Sequence, residues 1–211
     1  AVSSDFDGDG ISDILWQNRH DGVGDDGRVV SWQQLDGTDG GWENNPVFDS
    51  PMDSEEEFVV AIDMNADGRT DLVWQNSSEV YVWLMNGWTR ESEPTLSSDD
   101  MTGWNLVGVA DVDADGVGDL VWQDAYNDDA INDGRVKVWT GWDGTDGGYD
   151  EFWIHEDPIS EGDLGIGAAA DMDGDGDDDL LLQDGTGVYL VWLMDGASYV
   201  EATLNSDTAD N

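Results

Sequence analysis

Four segments of the chain repeat one acidic pattern. The pattern Asp-x-Asp/Asn-x-Asp-Gly-x-x-Asp occurs at residues 5–13, 63–71, 111–119 and 171–179. Acidic residues alternate with other residues, and the glycine at the sixth position permits a sharp turn because it has no Cβ atom. Since alternate residues of a tight loop can direct their oxygen atoms toward one centre, each segment is a candidate cation-binding loop.

The oxygen ligands of these loops suit calcium. Calcium takes about 6–8 hard oxygen atoms, whereas magnesium requires stricter octahedral geometry and retains its waters, so we expect about four Ca²⁺ ions per chain. The predicted side-chain ligands stand at positions 1, 3, 5 and 9 of the loops: Asp5, Asp7, Asp9, Asp13, Asp63, Asn65, Asp67, Asp71, Asp111, Asp113, Asp115, Asp119, Asp171, Asp173, Asp175 and Asp179. The predicted backbone carbonyl ligands stand at position 7: Ile11, Arg69, Val117 and Asp177.

An EF-hand does not fit this pattern. An EF-hand requires a bidentate acid at position 12 of its loop and a helix on either side. Position 12 is apolar in all four segments: Trp16, Trp74, Trp122 and Leu182. A second alternative, acidic turns that bind no metal, stays open.

Short apolar segments next to the loops have the composition of β-strands. They precede two loops at 59–62 and 107–110, and they follow all four at 14–17, 72–75, 120–123 and 180–183. A second aromatic strand then follows at 29–32, 80–83, 136–139 and 188–192. Runs of β-branched and aromatic residues bounded by Gly, Asp and Asn favour strands, and no segment has a sustained helical period. The fold class is therefore predicted to be all-β, and repeated four-stranded units at this spacing favour a β-propeller.

The loop with its two flanking strands resembles the FG-GAP/VCBS repeat, the calcium-loop blade of integrin-type β-propellers and of many secreted microbial proteins. The resemblance extends over all four units. It implies that the loop joins the first two strands of a blade and that the acidic residues at positions 1, 3, 5 and 9 bind calcium. Asn65 departs from the acidic pattern and lowers the charge of the second site.

The four units form a duplicated pair. Units one and three are long and share Asp-Gly-Thr-Asp-Gly-Gly at 36–41 and 143–148, whereas units two and four are short and share Trp-Leu-Met-x-Gly at 83–87 and 192–196. We therefore expect one propeller domain over 1–211 with an A-B-A-B order of calcium-loop blades. The expected blades are approximately 1–57, 58–105, 106–164 and 165–211. Three arrangements stay open: a four-bladed ring closed within one chain, half of an eight-bladed ring completed by a homodimer, and a fragment of a longer array.

The composition excludes several classes of partner and site. The 211 residues include 50 acidic and 6 basic ones, for a net charge of −44, which excludes nucleic acid and an anionic membrane surface as partners. The longest unbroken apolar run, 188–194, is far shorter than the roughly 20 residues that span a bilayer, so we expect no membrane insertion. Because the chain has no cysteine, disulfides, thiolate catalysis and cysteine–zinc sites are excluded.

The acidic residues are distributed along the whole chain and do not form a tail. Self-repulsion of this size destabilises a compact state in dilute buffer. At about 1 M salt the Debye length falls to about 3 Å, and most of this repulsion is screened. We interpret the protein as one adapted to a high-salt environment, and we expect its folding to depend on both calcium and molar salt.

No catalytic constellation is found in the sequence, so we expect no enzymatic activity. The two histidines, His20 and His155, are expected in polar loops of the long units, and neither lies in a Ser/His/Asp pattern. Neither Gly-x-Ser-x-Gly nor Ser-x-x-Lys occurs.

Two functions of different classes stay open. The first, which the resemblance implies, is a calcium-binding extracellular or cell-surface recognition module, lectin-like or adhesion-type, whose partner is a glycan or a surface protein. The second is a structural spacer of a larger secreted or surface protein. Trp42 and Tyr149 are the candidate glycan contacts, because both follow a Gly-Gly turn where no strand alternation explains an aromatic residue. Loops with three or four carboxylates suit the millimolar calcium found outside cells.

Overall fold

The computed structural model of the protein describes residues 2–6, 11–17, 28–33, 38, 43–48, 57–76, 78–124, 134–156, 164–184 and 187–204. The chain forms two compact units. The first contains Ala1–Met101 and Gly144–Gly147, and the second contains Thr102–Asp143 and Gly148–Asn211. All regular elements in the described ranges are β-strands. These ranges contain no helix of the length and hydrophobicity needed to cross a membrane.

The first unit contains two antiparallel sheets. In the first sheet, neighbours in sequence are hydrogen-bonded in the order β1 (Val2–Ser4), β2 (Asp13–Gln17), β3 (Val29–Gln33) and β4 (Glu43–Phe48). The second sheet has the order β5 (Glu57–Ile62), β6 (Asp71–Gln75), β7 (Val80–Asn86) and β8 (Thr89–Ser92). A further strand, β9 (Thr95–Ser97), pairs with the start of β7. The outer edge of this blade is thus divided between two short strands.

The second unit also contains two antiparallel sheets of four strands. The first has the order β10 (Trp104–Ala110), β11 (Asp119–Asp124), β12 (Val136–Thr140) and β13 (Asp150–His155). The second has the order β14 (Gly165–Ala170), β15 (Asp179–Gln183), β16 (Tyr189–Asp195) and β17 (Ser198–Thr203).

Each sheet is a meander in which sequence neighbours pair, and this is the topology of a β-propeller blade. The prediction of an all-β propeller protein with four blades is therefore confirmed. The strands predicted after each loop are also present, as β2, β6, β11 and β15. Whether a ring closes within one chain or through a homodimer stays a prediction.

The core of each unit lies between its two sheets. In the first unit, Leu15 and Val29 of one sheet belong to the same buried cluster as Leu72, Trp74 and Trp83 of the other. In the second unit, the cluster joins the sheet that carries Val121 and Val138 to the sheet that carries Leu180, Leu182 and Trp192. Burial of these large apolar side chains is the main stabilising contribution that a small propeller obtains. Four tryptophans on these strands, Trp74, Trp83, Trp122 and Trp192, are at most 1% exposed.

The first strand of three blades has the same irregularity. Its pairing with the second strand shifts between Phe58 and Val60, between Leu106 and Gly108, and between Ile166 and Ala168. A bulge of this kind bends a strand and increases its local twist. In each case the shift lies a few residues before the acidic loop, so it sets the direction in which the chain enters that loop.

Candidate metal-binding loops

The acidic loops join the first two strands of each blade, as the resemblance implied. Residues 63–71 connect β5 to β6, residues 111–119 connect β10 to β11, and residues 171–179 connect β14 to β15. In every case position 9 is the first residue of the second strand: Asp13, Asp71, Asp119 and Asp179. The fold thus places the predicted ligands that the structure describes at one end of each sheet, where its first two strands are connected.

Side-chain oxygens at positions 1, 3 and 5 accept hydrogen bonds from the backbone of their own loop. In the loop 111–119, Asp111 accepts hydrogen bonds from the backbone N–H groups of Asp115 and Gly116, at 3.0 and 2.9 Å. Asp113 accepts one from Asp115 at 3.3 Å, and Asp115 accepts one from Val117 at 2.7 Å. The loop 63–71 repeats these four bonds with Asp63, Asn65 and Asp67 as acceptors. Each alternate side chain is therefore fixed on the inner side of its loop.

Left-handed backbone is needed at two positions of these loops. At position 6, Gly68, Gly116 and Gly176 have φ of +83°, +86° and +111°. At position 4, Ala66 and Ala114 also have positive φ, of 57° and 54°. A residue with a Cβ atom is disfavoured in this conformation, so two of the loops carry backbone strain at position 4.

Three carboxylates approach one another in two of the loops. Oxygen atoms of Asp111, Asp113 and Asp115 lie within 4.8 Å of each other. In the fourth loop the same holds for oxygen atoms of Asp171, Asp173 and Asp179. Each group offers only hard oxygen donors, which is the donor set that Ca²⁺ prefers. The residues present therefore fit a calcium ion in both loops.

The second loop differs from this arrangement. In the second loop Asn65 replaces an acid, and the Arg69 guanidinium lies 3.6 Å from Asp67. Both features reduce the negative charge available to a cation there. In the first loop, Asp5, Ile11 and Asp13 are described, whereas Asp7 and Asp9 lie outside the described residues.

The aspartate at position 9 has a structural role that spacing alone did not reveal. Its carboxylate accepts the backbone N–H of position 2 in all four loops, at 2.7–3.2 Å. In two blades the other oxygen accepts an N–H from the third strand: Met85 donates to Asp71 and Met194 donates to Asp179, both at 2.8 Å. These aspartates are at most 3% exposed. They therefore tie the loop to the interior of the blade and present only their remaining lone pairs to a cation.

Burial without a counter-charge raises the pKa of two of these aspartates, Asp71 and Asp119. Burial raises the pKa of Asp71 to about 6, although the hydrogen bonds from Met85 and Met64 oppose the shift. Burial also raises the pKa of Asp119 to about 7, with a further contribution from the neighbouring carboxylates of the same loop. A divalent cation in the loop would stabilise the ionised form of both groups and reverse these shifts.

The two candidate glycan contacts have different outcomes. Trp42 lies outside the described residues. Tyr149 is half-buried, and its ring stacks on the buried Trp139 with a centroid distance of 4.2 Å and an interplanar angle of 25°.

His155, which was expected in a polar loop, is the last residue of β13, where its Nδ1 lies 2.7 Å from the Tyr199 hydroxyl. Its ring also stacks on Trp192. These contacts of His155 join two different sheets of the second unit, and the strand pattern within one blade did not specify them.

Comparison with known proteins identifies one family. Residues 63–122 match the family model of the FG-GAP-like repeat, a stretch that contains the second and third acidic loops. This part of the chain is similar to an FG-GAP-like repeat. Repeats of this family often bind Ca²⁺, are typical of extracellular or cell-surface proteins and are typically non-enzymatic. No curated protein matches the chain.

Proposed function

We propose that the protein is a calcium-binding recognition module without enzymatic activity, lectin-like or adhesion-type, that works outside the cell in high salt. The observation that carries the proposal is the convergence of three carboxylates in each of the loops 111–119 and 171–179. Three like charges this close repel one another unless a cation lies between them. These carboxylates also accept backbone hydrogen bonds that hold them on the inner side of the loop. The match of residues 63–122 to a calcium-associated repeat supports the same conclusion.

Calcium has a structural role in this proposal. The side chains at positions 1, 3 and 5 and the carbonyl at position 7 would hold the ion, and the buried aspartate at position 9 would connect it to the second and third strands. When bound, the ion supplies positive charge to the loop. The chain's own contribution is a turn that holds the ligands at one end of each blade.

Calcium titration of the metal-stripped protein in about 2 M KCl tests this proposal. We expect about four ions per chain, with the loops 111–119 and 171–179 filled before the loop 63–71. Asp173→Asn should remove one of these two tight sites. Asp195→Asn is a matched control, because Asp195 lies at the exposed end of β16 and outside every loop. Absence of calcium binding by the folded protein would refute the proposed function.

A glycan or a surface protein is the proposed partner, with Trp42 and Tyr149 as the contacts in the two long blades. Binding to a glycan array in about 2 M KCl, with calcium and after its removal, tests the recognition role. Trp42→Ala and Tyr149→Ala should each weaken binding, whereas Tyr149→Phe retains the ring and should preserve it. Calcium-loaded protein that binds no glycan would redirect the search to protein partners.

A structural spacer in a larger secreted or surface protein is the second candidate. The stacking of Tyr149 on Trp139 favours it, because a ring that packs against a buried tryptophan contributes to stability. The two functions differ in what Tyr149→Ala does. In a spacer the substitution lowers the melting temperature and affects no ligand, whereas in a recognition module it also abolishes binding at temperatures where the variant is folded.

A further inference from the structure

We propose that Asp178 is a positioning residue that couples calcium binding in the loop 111–119 to calcium binding in the loop 171–179. The inference rests on the proposed calcium function and concerns the second unit alone. Asp178 occupies position 8 of its loop, so it is not one of the predicted ligands. It lies between two of them, the carbonyl of Asp177 and the carboxylate of Asp179.

Two hydrogen bonds connect Asp178 to the backbone of Asp111, the first predicted ligand of the other loop. The backbone N–H of Asp178 donates to the carbonyl oxygen of Asp111 at 2.7 Å. In return, the backbone N–H of Asp111 donates to Oδ2 of Asp178 at 3.0 Å. The Asp111 carboxylate meanwhile accepts the N–H groups of Asp115 and Gly116. One residue of the fourth loop thus holds both the N–H and the C=O group of the residue at which the third loop begins.

The tips of the two loops are also close. A Cβ atom at Gly176 would lie 3.7 Å from the Cβ atom of Ala114, so position 6 of one loop contacts position 4 of the other. The contact includes a residue with positive φ on each side. A change of backbone conformation at either tip therefore affects the neighbouring loop.

A calcium ion bound in one loop would restrict the backbone of the other loop through these contacts. An ion held by Asp177 and Asp179 would restrict the backbone on both sides of Asp178, and the paired hydrogen bonds would then restrict Asp111. A second ion would bind a loop that is already ordered, which gives positive coupling. The coupling must be reciprocal, and we expect it to be about fivefold in affinity. Molar salt screens repulsion between the two ions, so the ordering effect determines the sign.

The first unit provides an internal comparison. Its residue at position 8 of the second blade's loop is Thr70, whose hydroxyl oxygen lies 2.7 Å from the hydroxyl oxygen of Ser4. Ser4 directly precedes the predicted ligand Asp5. Position 8 therefore meets the start of the preceding loop in both units, but the carboxylate-to-backbone bond belongs to Asp178.

Hydrogen–deuterium exchange with mass spectrometry, over a calcium series in about 2 M KCl, measures each loop separately in the full chain. The readout is the calcium concentration that gives half-maximal protection of peptides covering 111–119. We expect Asp178→Ala to raise this midpoint about fivefold. Asp178→Asn retains an oxygen that can accept the Asp111 N–H, so its midpoint should stay within about twofold of the parent protein. Thr70→Ala, the matched position in the first unit, should leave the midpoint unchanged.

A double-mutant cycle separates coupling from a local effect. Asp173→Asn disables the fourth loop, and it should raise the midpoint of 111–119 when Asp178 is present but have no further effect in the Asp178→Ala background. If Asp178→Asn acted as strongly as Asp178→Ala, the charge and not the hydrogen bond would matter, and the proposal would be overturned. An unchanged midpoint in Asp178→Ala would also overturn it.

The experiment still decides the question if the Asp178→Ala variant does not fold. If Asp178→Ala is unfolded, the Asp173→Asn single variant decides alone, since an unaltered midpoint for 111–119 contradicts coupling. Calcium protection of both loops without mutual influence would refute this inference and leave the proposed function intact. No calcium protection of either loop would refute the proposed function itself.

Discussion

At the scale of single residues, the aspartate at position 9 connects the candidate metal site to the fold. Asp71 is fully buried, and its two oxygens accept the N–H groups of Met64 and Met85. Both bonds join groups of the protein itself. The residue therefore contributes to stability before it contributes to cation binding, and the two contributions can be measured separately.

Truncation of this aspartate should destabilise the metal-stripped protein. Asp71→Ala leaves two buried N–H groups without an acceptor, at a cost of about 1–3 kcal/mol for each. We therefore expect the free energy of unfolding to fall by about 2–6 kcal/mol, measured by urea denaturation in about 2 M KCl. Asp99→Ala, at an exposed position of the same unit, should change it by less than about 0.5 kcal/mol. Equal effects of the two substitutions would contradict the anchoring role.

The raised pKa values of the buried aspartates predict an unusual pH dependence for the metal-stripped protein. Burial raises the pKa of Asp71 to about 6 and of Asp119 to about 7, so the folded state binds protons more tightly than the unfolded chain. The resulting stability is fully present below the unfolded pKa of about 4 and is lost as the pH rises through about 6–7. Stability should therefore be greater at pH 5 than at pH 8, by about 1–3 kcal/mol from each group.

Urea denaturation of resin-stripped protein at the two pH values measures this effect without a chelator that itself titrates. Asp119→Asn provides the control, because its amide does not ionise and its share of the pH dependence should disappear. Saturating calcium should reverse the trend, since protons then compete with the ion for the same oxygens. Lower stability of the stripped parent protein at pH 5 than at pH 8 would contradict the prediction.

At the scale of the elements, the loop conformation depends on left-handed glycine. Gly116 has φ of +86°, and no atom lies within 4 Å of a Cβ atom placed there, so substitution acts through backbone strain alone. Gly116→Ala should destabilise the loop by about 1–2 kcal/mol and weaken its calcium binding accordingly. The opposite change, Ala114→Gly, relieves a strained residue and should not weaken binding. Calcium titration of both variants tests the pair, and equal losses would show that strain is not the cause.

The loops and the strands beside them could be predicted from the sequence because each is encoded locally. The spacing of Asp and Gly defines the turn, and the apolar run that follows defines β6, β11 and β15. The register irregularity before three of the loops could not be predicted, because it depends on the pairing of two strands. The double role of Asp71 and Asp179 was missed for the same reason: their second partners, Met85 and Met194, lie on a strand that only the folded sheet brings near.

At the scale of the whole molecule, the basic residues are too few to balance the acids. In the described ranges, the Lys137 side chain is only 10% exposed. It forms an ion pair with Glu151 at 2.9 Å and lies over the ring of Trp104. Burial raises the pKa of Glu151, but the hydrogen bonds from Lys137 and Trp139 outweigh it and hold that pKa below its usual value. Arg135 is likewise paired, with Asp124 at 2.8 Å. Cations held inside a blade in this way screen little of the acidic surface.

Calcium and salt should therefore stabilise the protein by separate routes. Four Ca²⁺ ions would reduce the net charge from −44 only to about −36, so metal relieves repulsion inside the loops and leaves the surface charged. Salt acts on that surface, because the Debye length falls from about 10 Å at 0.1 M to about 3 Å at 1 M. We expect removal of calcium to lower the melting temperature even in 2 M KCl, and dilution to 0.1 M KCl to lower it even with calcium present.

Far-UV circular dichroism melts at the four combinations of calcium and salt test this expectation. Replacement of KCl by NaCl at equal ionic strength is the control, since screening depends on ionic strength and not on the identity of the cation. If the calcium-loaded protein melted at the same temperature in 0.1 M and 2 M KCl, the surface repulsion would be unimportant and the high-salt adaptation would be wrong. If calcium removal in 2 M KCl left the melting temperature unchanged, the carboxylates of the loops would tolerate one another without metal, and the structural role of calcium would be refuted.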